Sequence, residues 1–271
     1  MTKTATTDTL RVPDALLHYE VRGRGPLVVL VAAPMDARSF EPLADLLAAD
    51  HTVLTTDPRG INRSKVDDPD VDATPELRAD DLARLVRHLD VGPAALFGSS
   101  GGAVSVLALA QANPELAHTV ITHEPPLTGL VPDGEDLLRR TDEMIDTYRS
   151  GDAVGAWKEF MAIADIHMPD QVIEHMFGGE RDPQDVADER FQYEHMLRPS
   201  VRWEPDFDAL RSASTRIVVG IGEDSDGELC ERTSQALAAG EPGRLDAEAG
   251  GHIGFVDDPD RFAVRLREVL G

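Results

Sequence analysis

Gly98-Ser99-Ser100-Gly101-Gly102 follows the short apolar run Ala94-Ala95-Leu96-Phe97 and precedes a second apolar stretch at residues 103–110. The order is strand, Gly-x-Ser-x-Gly, helix, and in that context the central serine stands on a sharp turn with its hydroxyl above the sheet. Glycines flank it because a Cβ there would clash with the neighbouring strand and helix. The pattern predicts Ser100 as a nucleophile and Ser99 pointing elsewhere. The alternative is a glycine-rich turn that only packs tightly.

Composition excludes several classes of partner. The 271 residues include 50 acidic and 26 basic side chains, a net charge of −24, and such a surface repels phosphate backbones and anionic lipid. Cys230 is the only cysteine, so neither an intrachain disulfide nor a thiolate metal cluster can form. Residues 1–8 are polar and lack the apolar core of a signal peptide, and no apolar run reaches the ~20 residues of a membrane span. We expect a cytoplasmic protein that binds neither nucleic acid nor membrane.

Strand-like and helix-like segments alternate along most of the chain. This alternation is typical of an α/β fold with a mostly parallel central sheet and helices on both faces. The predicted strands lie at residues 16–21, 27–32, 52–56, 94–97, 119–123, 216–222 and 244–247.

The alternation stops between residues 127 and 207, which are rich in charge, methionine and histidine. We predict an all-helical cap there, inserted late in the sheet, and a core made of residues 1–126 and 208–271. Short helices are expected at 134–149, 152–165, 169–177 and 183–197. The methionines of the cap suggest an adaptable apolar substrate, although methionines at such spacings more often form the core of the cap: Met144, Met161, Met168, Met176 and Met196.

A serine nucleophile needs a base, and in the fold that carries this strand–turn–helix motif, here called the elbow, the base is a histidine late in the chain. His252 lies in the glycine-rich loop Gly250-Gly251-His252-Ile253-Gly254, between the last predicted strand and the last predicted helix. We predict His252 as that base. The cap histidines, His167, His175 and His195, are candidates for the pocket lining only.

The acid that orients the histidine has two candidate positions. After the penultimate strand the usual spacing is glycine, two residues, then aspartate, which here falls on Ser225, beside the alternative acids Glu223, Asp224 and Asp226. The other position follows the strand after the nucleophile helix, where Glu124 precedes two prolines. A glutamate there would be partly buried and would need a partner such as an imidazole. The residues alone leave both positions open.

The whole chain resembles the α/β-hydrolase superfamily and, more narrowly, the cofactor-free zearalenone lactonases and similar actinobacterial hydrolases. The resemblance rests on Thr55-Thr56-Asp57-Pro58-Arg59-Gly60-Ile61-Asn62-Arg63-Ser64, Ser99-Ser100-Gly101, His123-Glu124-Pro125-Pro126, Gly251-His252 and Asp258-Pro259-Asp260-Arg261-Phe262. It implies an α/β-hydrolase fold and Glu124 as the catalytic acid. The resemblance covers the core rather than the cap, so it does not identify the substrate of this protein.

An oxyanion hole needs two N–H groups. One should come from Gly101, the residue after the nucleophile. Where the superfamily often has His-Gly, this chain reads Ala32-Ala33-Pro34-Met35, and Pro34 has no N–H to donate. The spacing to Phe40 matches the donor position of the family to Ala33, which is our prediction, with Met35 as the second choice.

Together these features predict a serine hydrolase that cleaves a small-molecule carboxylic ester or lactone through Ser100, His252 and Glu124. No metal or cofactor is expected. Alternatives on the same triad are a thioesterase, an acyltransferase or a C–C hydrolase. A non-catalytic ligand-binding protein would more often have lost one of the three residues. The sequence leaves a homodimer open.

Overall fold

In the computed structural model, which describes residues 5–240 and 244–271, the chain forms one sheet of nine strands. The start of the polar stretch 1–8 lies outside the described residues. The strands are β1 (Thr6–Val12), β2 (Ala15–Gly23), β3 (Leu27–Ala33), β4 (Thr52–Thr56), β5 (Lys65–Val66), β6 (Ala94–Ser100), β7 (Ala117–His123), β8 (Arg216–Gly222) and β9 (Arg244–Glu248).

The sheet has the order β1-β2-β4-β3-β6-β7-β8-β9, and β5 pairs with β2. The pairs β1/β2, β2/β4 and β2/β5 are antiparallel, whereas every pair from β4/β3 to β8/β9 is parallel. The carboxyl ends of the parallel strands therefore meet at one edge, and this is where such sheets place their ligands. The predicted α/β class with a mostly parallel sheet is confirmed.

Both faces of the sheet are covered, and β3 shows why. All seven of its residues are buried, and the first six alternate between two apolar clusters. Leu27, Val29 and Val31 join the cluster with the helices 75–89 and 101–112, while the side chains between them join the cluster with the helices 41–47 and 259–270. Because successive side chains of a strand point to opposite faces, a central strand covered on both sides must be apolar throughout.

Twelve α-helices are present in the described part of the chain. They are α1 (Glu41–Leu47), α2 (Pro75–Leu89), α3 (Gly101–Ala112), α4 (Gly134–Arg149), α5 (Ala153–Ala164), α6 (Asp170–Phe177), α7 (Pro183–Phe191), α8 (Leu197–Val201), α9 (Phe207–Ser212), α10 (Leu229–Gly240), α11 (Gly254–Asp257) and α12 (Pro259–Leu270). In these residues, no helix combines the length and apolar character needed to cross a membrane.

Residues 128–212, here called the helical segment, carry α4 to α9 between β7 and β8 and contain no strand. The segment has its own apolar cluster, in which the rings of Tyr148 and Tyr193 stack with their centroids 4.3 Å apart. It is tied to the sheet layer by polar contacts: Arg78 of α2 donates to the hydroxyl of Ser200, and the Asn62 backbone N–H donates to Asp188. The helical segment therefore packs over one edge of the sheet.

Candidate active site

Ser100 stands at the turn between β6 and α3 with φ 54° and ψ −124°, a backbone conformation that few residues other than glycine adopt. The two flanking glycines make room for this turn. A Cβ on Gly98 would lie 2.5 Å from the carbonyl oxygen of Gly102, and a Cβ on Gly102 would lie 2.6 Å from Cα of Ala32. Strain of this kind is kept where the surrounding structure imposes it, and such sites are often functional.

The two neighbouring serines have different surroundings. Ser99 is buried, 2% exposed, and pairs with His123 in the β6/β7 ladder. Ser100 is half-buried and borders a cavity that His252 also borders. No hydrogen bond joins Ser100 to His252 in the described residues, although catalytic contacts of this type often tighten only when substrate binds.

His252 lies in the loop between β9 and α11, with Nδ1 2.6 Å from Oε2 of Glu124. Glu124 comes directly after β7, is fully buried and has φ 50°. Its backbone N–H donates to the carbonyl oxygen of Gly220 at 3.1 Å, and its Oε1 accepts from the N–H of Gly222 at 2.8 Å. The structure thus brings together the end of β7, the end of β8 and the histidine loop at one carboxylate.

Electrostatics keep this carboxylate ionised. Burial alone would raise the pKa of Glu124, but the hydrogen bond with His252 and the nearby imidazoles of His123 and His252 lower it to about 2. The neighbouring His123 is fully buried, and burial lowers its pKa to about 4. His123 is therefore neutral at neutral pH, and its ring lies between Phe97 and His252, with centroids at 5.9 and 6.3 Å.

The acids of the other candidate position lie away from the imidazole. Glu223, Asp224 and Asp226 are exposed, and Glu223 instead accepts a hydrogen bond from Arg261 at 2.6 Å. Ser225, on which the usual aspartate spacing falls, is fully buried and lies near Glu124. Within residues 5–240 and 244–271, Glu124 is the only carboxylate that bonds to His252, and no three His, Cys, Asp or Glu side chains are placed to hold a metal ion.

The two predicted oxyanion donors are neighbours. Ala33 ends β3 and pairs with Ser100 in the β3/β6 ladder, and Gly101 is the first residue of α3. A Cβ on Gly101 would lie only 2.9 Å from the carbonyl oxygen of Ala33, so the two backbones pass closely. The N–H of Gly101 also belongs to the first turn of a helix, where it has no helical acceptor and carries partial positive charge. Met35, the second choice, packs against the cluster around Phe40.

The cavity beside Ser100 and His252 has a volume of about 90 Å³. The helical segment contributes eight of the fourteen residues of its wall, and six of these are apolar, among them Met144, Phe160 and Ile163. Three consecutive residues at the start of α10 form another part of the cavity wall: Glu228, which precedes the helix, and the first two helical residues, Leu229 and Cys230. Sequence reasoning missed these last three, since nothing in the local pattern shows that the start of α10 faces Ser100.

Most of the cap methionines and all three cap histidines lie away from the cavity beside Ser100. Of the five methionines only Met144 borders the cavity, while Met176 is 50% exposed and Met196 packs in the cluster of Ala33 and Phe191. Met161 and Met168 line a separate shallow depression between α5 and α6, together with His167. His195 binds Asp72 at 3.1 Å, and neither it nor His175 borders the cavity.

Asp57 and Arg59, in the loop after β4, form hydrogen bonds that hold this loop in place. Asp57 is fully buried and accepts hydrogen bonds from the backbone N–H of Ala37 at 3.0 Å and from Arg63. Arg59 forms two 2.6 Å hydrogen bonds with Asp81 of α2. These contacts fix the loop beneath the helical segment and away from the cavity of Ser100.

Comparisons with known proteins agree with this fold. The model of the alpha/beta hydrolase family matches residues 27–265. The chain belongs to the α/β hydrolase family. Across 97% of its length it is 30% identical to the hydrolase YraK of Bacillus subtilis, and the match covers 95% of that protein. This α/β hydrolase is therefore an enzyme, and the reaction it catalyses is a hydrolysis.

Two further comparisons, one with a sequence and one with a solved structure, show how far the similarity extends. A zearalenone hydrolase of Cladophialophora bantiana is 32% identical over 113 residues, which cover 40% of this α/β hydrolase and 43% of that protein. The solved structure of a thermophilic esterase from Thermogutta terrifontis superposes with a TM-score of 0.73 at 24% identity, covering 98% of both chains. The second match shows the fold only.

Proposed function

We propose that this α/β hydrolase cleaves a carboxylic ester or lactone by serine catalysis, with Ser100 as nucleophile, His252 as base and Glu124 as the acid that orients the base. The 2.6 Å contact between His252 Nδ1 and Glu124 Oε2 carries the proposal. It holds the proton on Nδ1, so Nε2 is left as the acceptor in a cavity shared with Ser100.

In the first half of the reaction, Oγ of Ser100 attacks the substrate carbonyl carbon while Nε2 of His252 takes the hydroxyl proton. The tetrahedral intermediate collapses, the ester C–O bond breaks, and the imidazolium returns its proton to the leaving oxygen. In the second half, water attacks the acyl-enzyme with His252 again as base, releasing the acid and restoring Ser100. In a lactone both products are one molecule.

The negative charge that develops on the carbonyl oxygen needs preorganised donors. We assign the N–H groups of Gly101 and Ala33, two residues whose backbones pass closely beside Ser100. Removing one such donor typically costs about 10²–10³ in kcat. The buried, ionised Glu124 stabilises the imidazolium that forms in the same step.

The cavity supports a small substrate. A cavity of about 90 Å³ has room for a short acyl or alkoxy chain. We propose that the helical segment is the lid that sets this limit. A macrocyclic lactone such as zearalenone is the second candidate, because the match to a zearalenone hydrolase favours it, and it would require the lid to move.

The test is a paired assay of p-nitrophenyl butyrate and zearalenone, with the products identified by mass. We expect the ester to be cleaved with the higher kcat/KM. A higher kcat/KM on zearalenone would make the enzyme a lactonase with a mobile lid. Cleavage of neither substrate by an enzyme that still reacts with a fluorophosphonate would contradict the ester and lactone proposal and favour a thioester, acyl-transfer or C–C substrate. Failure to react as well would favour a ligand-binding role.

A further inference from the structure

Glu228 is the only carboxylate residue on the wall of the cavity beside Ser100, among the lining residues that the structure describes. It immediately precedes α10, whose first two residues, Leu229 and Cys230, also border the cavity. Its charge interacts with Glu124 and His252, which places the carboxylate near the reacting groups. A negative side chain thus stands in a wall that is otherwise mostly apolar.

This carboxylate has no hydrogen bond and no ion pair within residues 5–240 and 244–271, although Glu228 is only half-exposed. Apart from Ser100 and His252, which the proposed reaction uses, the hydroxyl groups of the wall are already engaged: Thr141 donates to the carbonyl oxygen of Leu137 at 2.9 Å, and Thr128 to that of Pro126 at 3.4 Å. Glu228 therefore offers the free acceptor oxygens of the cavity.

The surroundings of Glu228 leave its charge uncompensated. Burial and the charges of Glu124 and Glu231 raise its pKa, while His252 and His167 act in the opposite direction. A carboxylate held half-buried without a partner is unfavourable, and a donor group placed against it recovers that loss. A second carboxylate brought into the same cavity would instead be repelled.

We propose that Glu228 is a specificity residue that binds a hydrogen-bond donor, a hydroxyl or ammonium group, on the substrate close to the scissile carbonyl. The preferred substrates are then hydroxylated or amino-bearing short esters or lactones, and esters with a free carboxylate at that place are poor substrates. This inference rests on the proposed ester hydrolysis and adds the substrate class to it.

A structural role for Glu228 makes a different prediction. The carbonyl oxygen of Glu228 accepts the N–H of Arg232 at 3.1 Å, so the residue stands at the N-terminus of α10, where an acid is favourable in any helix. That role would affect stability and would treat neutral, cationic and anionic substrates alike. Discrimination between matched substrates is therefore the decisive measurement.

The experiment compares kcat/KM within matched esters. On the alcohol side these are propyl, 2-hydroxyethyl, 3-aminopropyl and carboxymethyl butyrate, and on the acyl side methyl butyrate and methyl 3-hydroxybutyrate. We expect the wild-type enzyme to prefer the hydroxyl or ammonium ester over its parent by about 10- to 100-fold, the range of a hydrogen bond to a charged group, and to disfavour the carboxylate. Comparison of the hydroxyl ester with the ammonium ester shows which of the two donor groups Glu228 prefers.

The preference should fall at least tenfold in Glu228→Leu, and the penalty on the carboxylate ester should shrink in Glu228→Gln. Glu231→Gln is the control, since Glu231 lies in the first turn of α10 and outside the cavity lining, and it should keep the wild-type preferences. Equal substrate ratios in the wild type and Glu228→Leu, with a lower melting temperature in the variant, would overturn the proposal and leave only a helix-terminal acid.

A second readout does not depend on ester turnover. Fluorophosphonates that differ only in a terminal ammonium, methyl or carboxylate group should label the wild-type enzyme fastest with the ammonium and slowest with the carboxylate. Glu228→Leu should abolish that order. If no ester is cleaved but the order appears and is lost in the variant, the role of Glu228 stands and the ester proposal fails. If the order is absent from the wild type, the role of Glu228 fails.

Discussion

Glu124 and Gly222 lie at the ends of adjacent strands, and the backbone N–H of Gly222 donates to Oε1 of Glu124 at 2.8 Å. This bond occupies one carboxylate oxygen and leaves the other for His252 at 2.6 Å. Two fixed donors on opposite oxygens hold the carboxyl group in one orientation. Position as well as charge therefore suits Glu124 for orienting an imidazole.

We expect Glu124→Gln to lower kcat by about 10³- to 10⁴-fold with the fold intact. The amide NH₂ would face Nδ1 of His252, which favours the tautomer whose Nε2 carries the proton and cannot accept one from Ser100. The measurement is steady-state hydrolysis of p-nitrophenyl butyrate, with circular dichroism to verify folding. Matched controls are Asp224→Asn and Glu223→Gln, from the exposed alternative position, and both should retain activity within tenfold. The placement of the acid would be wrong if Asp224→Asn were as damaging as His252→Ala while Glu124→Gln was nearly silent.

The buried pair of Arg59 and Asp81 should be essential for stability. Its side chains are 5% and 6% exposed, and two 2.6 Å hydrogen bonds join them. Asp81→Asn leaves a buried guanidinium without its counter-charge, which should lower the free energy of unfolding by about 3–5 kcal/mol. Asp80→Asn removes the neighbouring exposed pair with Arg84 and should cost only about 0–1 kcal/mol. Equal costs in urea denaturation would show that the buried pair is dispensable.

Glu248 should make the protein less stable as pH rises, whereas an ordinary paired carboxylate makes a protein more stable as pH rises. Its side chain is fully buried, its two oxygens have no hydrogen-bond partner in the described chain, and burial raises its pKa from 4.5 to about 7. Between these two values the native state binds the proton more tightly than the unfolded state. Stability due to this group is therefore full below pH 4.5 and is lost as pH rises toward 7.

The Glu248→Gln variant has no proton to lose at this position. Its unfolding free energy relative to the wild-type enzyme should rise with pH by up to about 1.4 kcal/mol per unit between pH 5 and 7, and level off above. Effects of His123 and Glu124 cancel in this difference, since both proteins contain them. Urea titrations at pH 5, 6, 7 and 8 measure it. A difference that stays constant across the four values would show that Glu248 ionises normally.

The elbow could be predicted because everything it needs is local: a short apolar strand, the glycines around Ser100, and an apolar helix follow one another without interruption. Three helices of the helical segment could be predicted as well, since α4 coincides with the predicted 134–149 and α5 and α6 agree within one residue at either end. The predicted helix 183–197 is instead divided into α7, a π-helical turn at 192–196 and α8, and α9 has no predicted counterpart. β1 was not predicted. Six of its seven residues are exposed or half-exposed, so it is a strand only because it pairs with β2 at the edge of the sheet.

Features that depend on chain packing could not be read in the same way. The sequence left Glu124 and the acids 223, 224 and 226 as alternatives, because only the sheet order brings β7 and β8 beside the histidine loop. Only one of the five cap methionines, Met144, borders the cavity. The sequence left their role open for a similar reason: their spacing indicates an apolar face but not whether Ser100 lies beneath it. Glu228 carried no local signal, since an acid before a helix is common whatever its function.

The site of reaction with a fluorophosphonate, identified by mass spectrometry of the digested enzyme, shows directly which residue is the nucleophile. We predict a single modified residue, Ser100, with loss of both labelling and p-nitrophenyl butyrate hydrolysis in Ser100→Ala. Ser99→Ala, the matched neighbour, should keep both within tenfold. Modification at another residue, or substantial hydrolysis by Ser100→Ala, would contradict the central claim that Ser100 is the nucleophile.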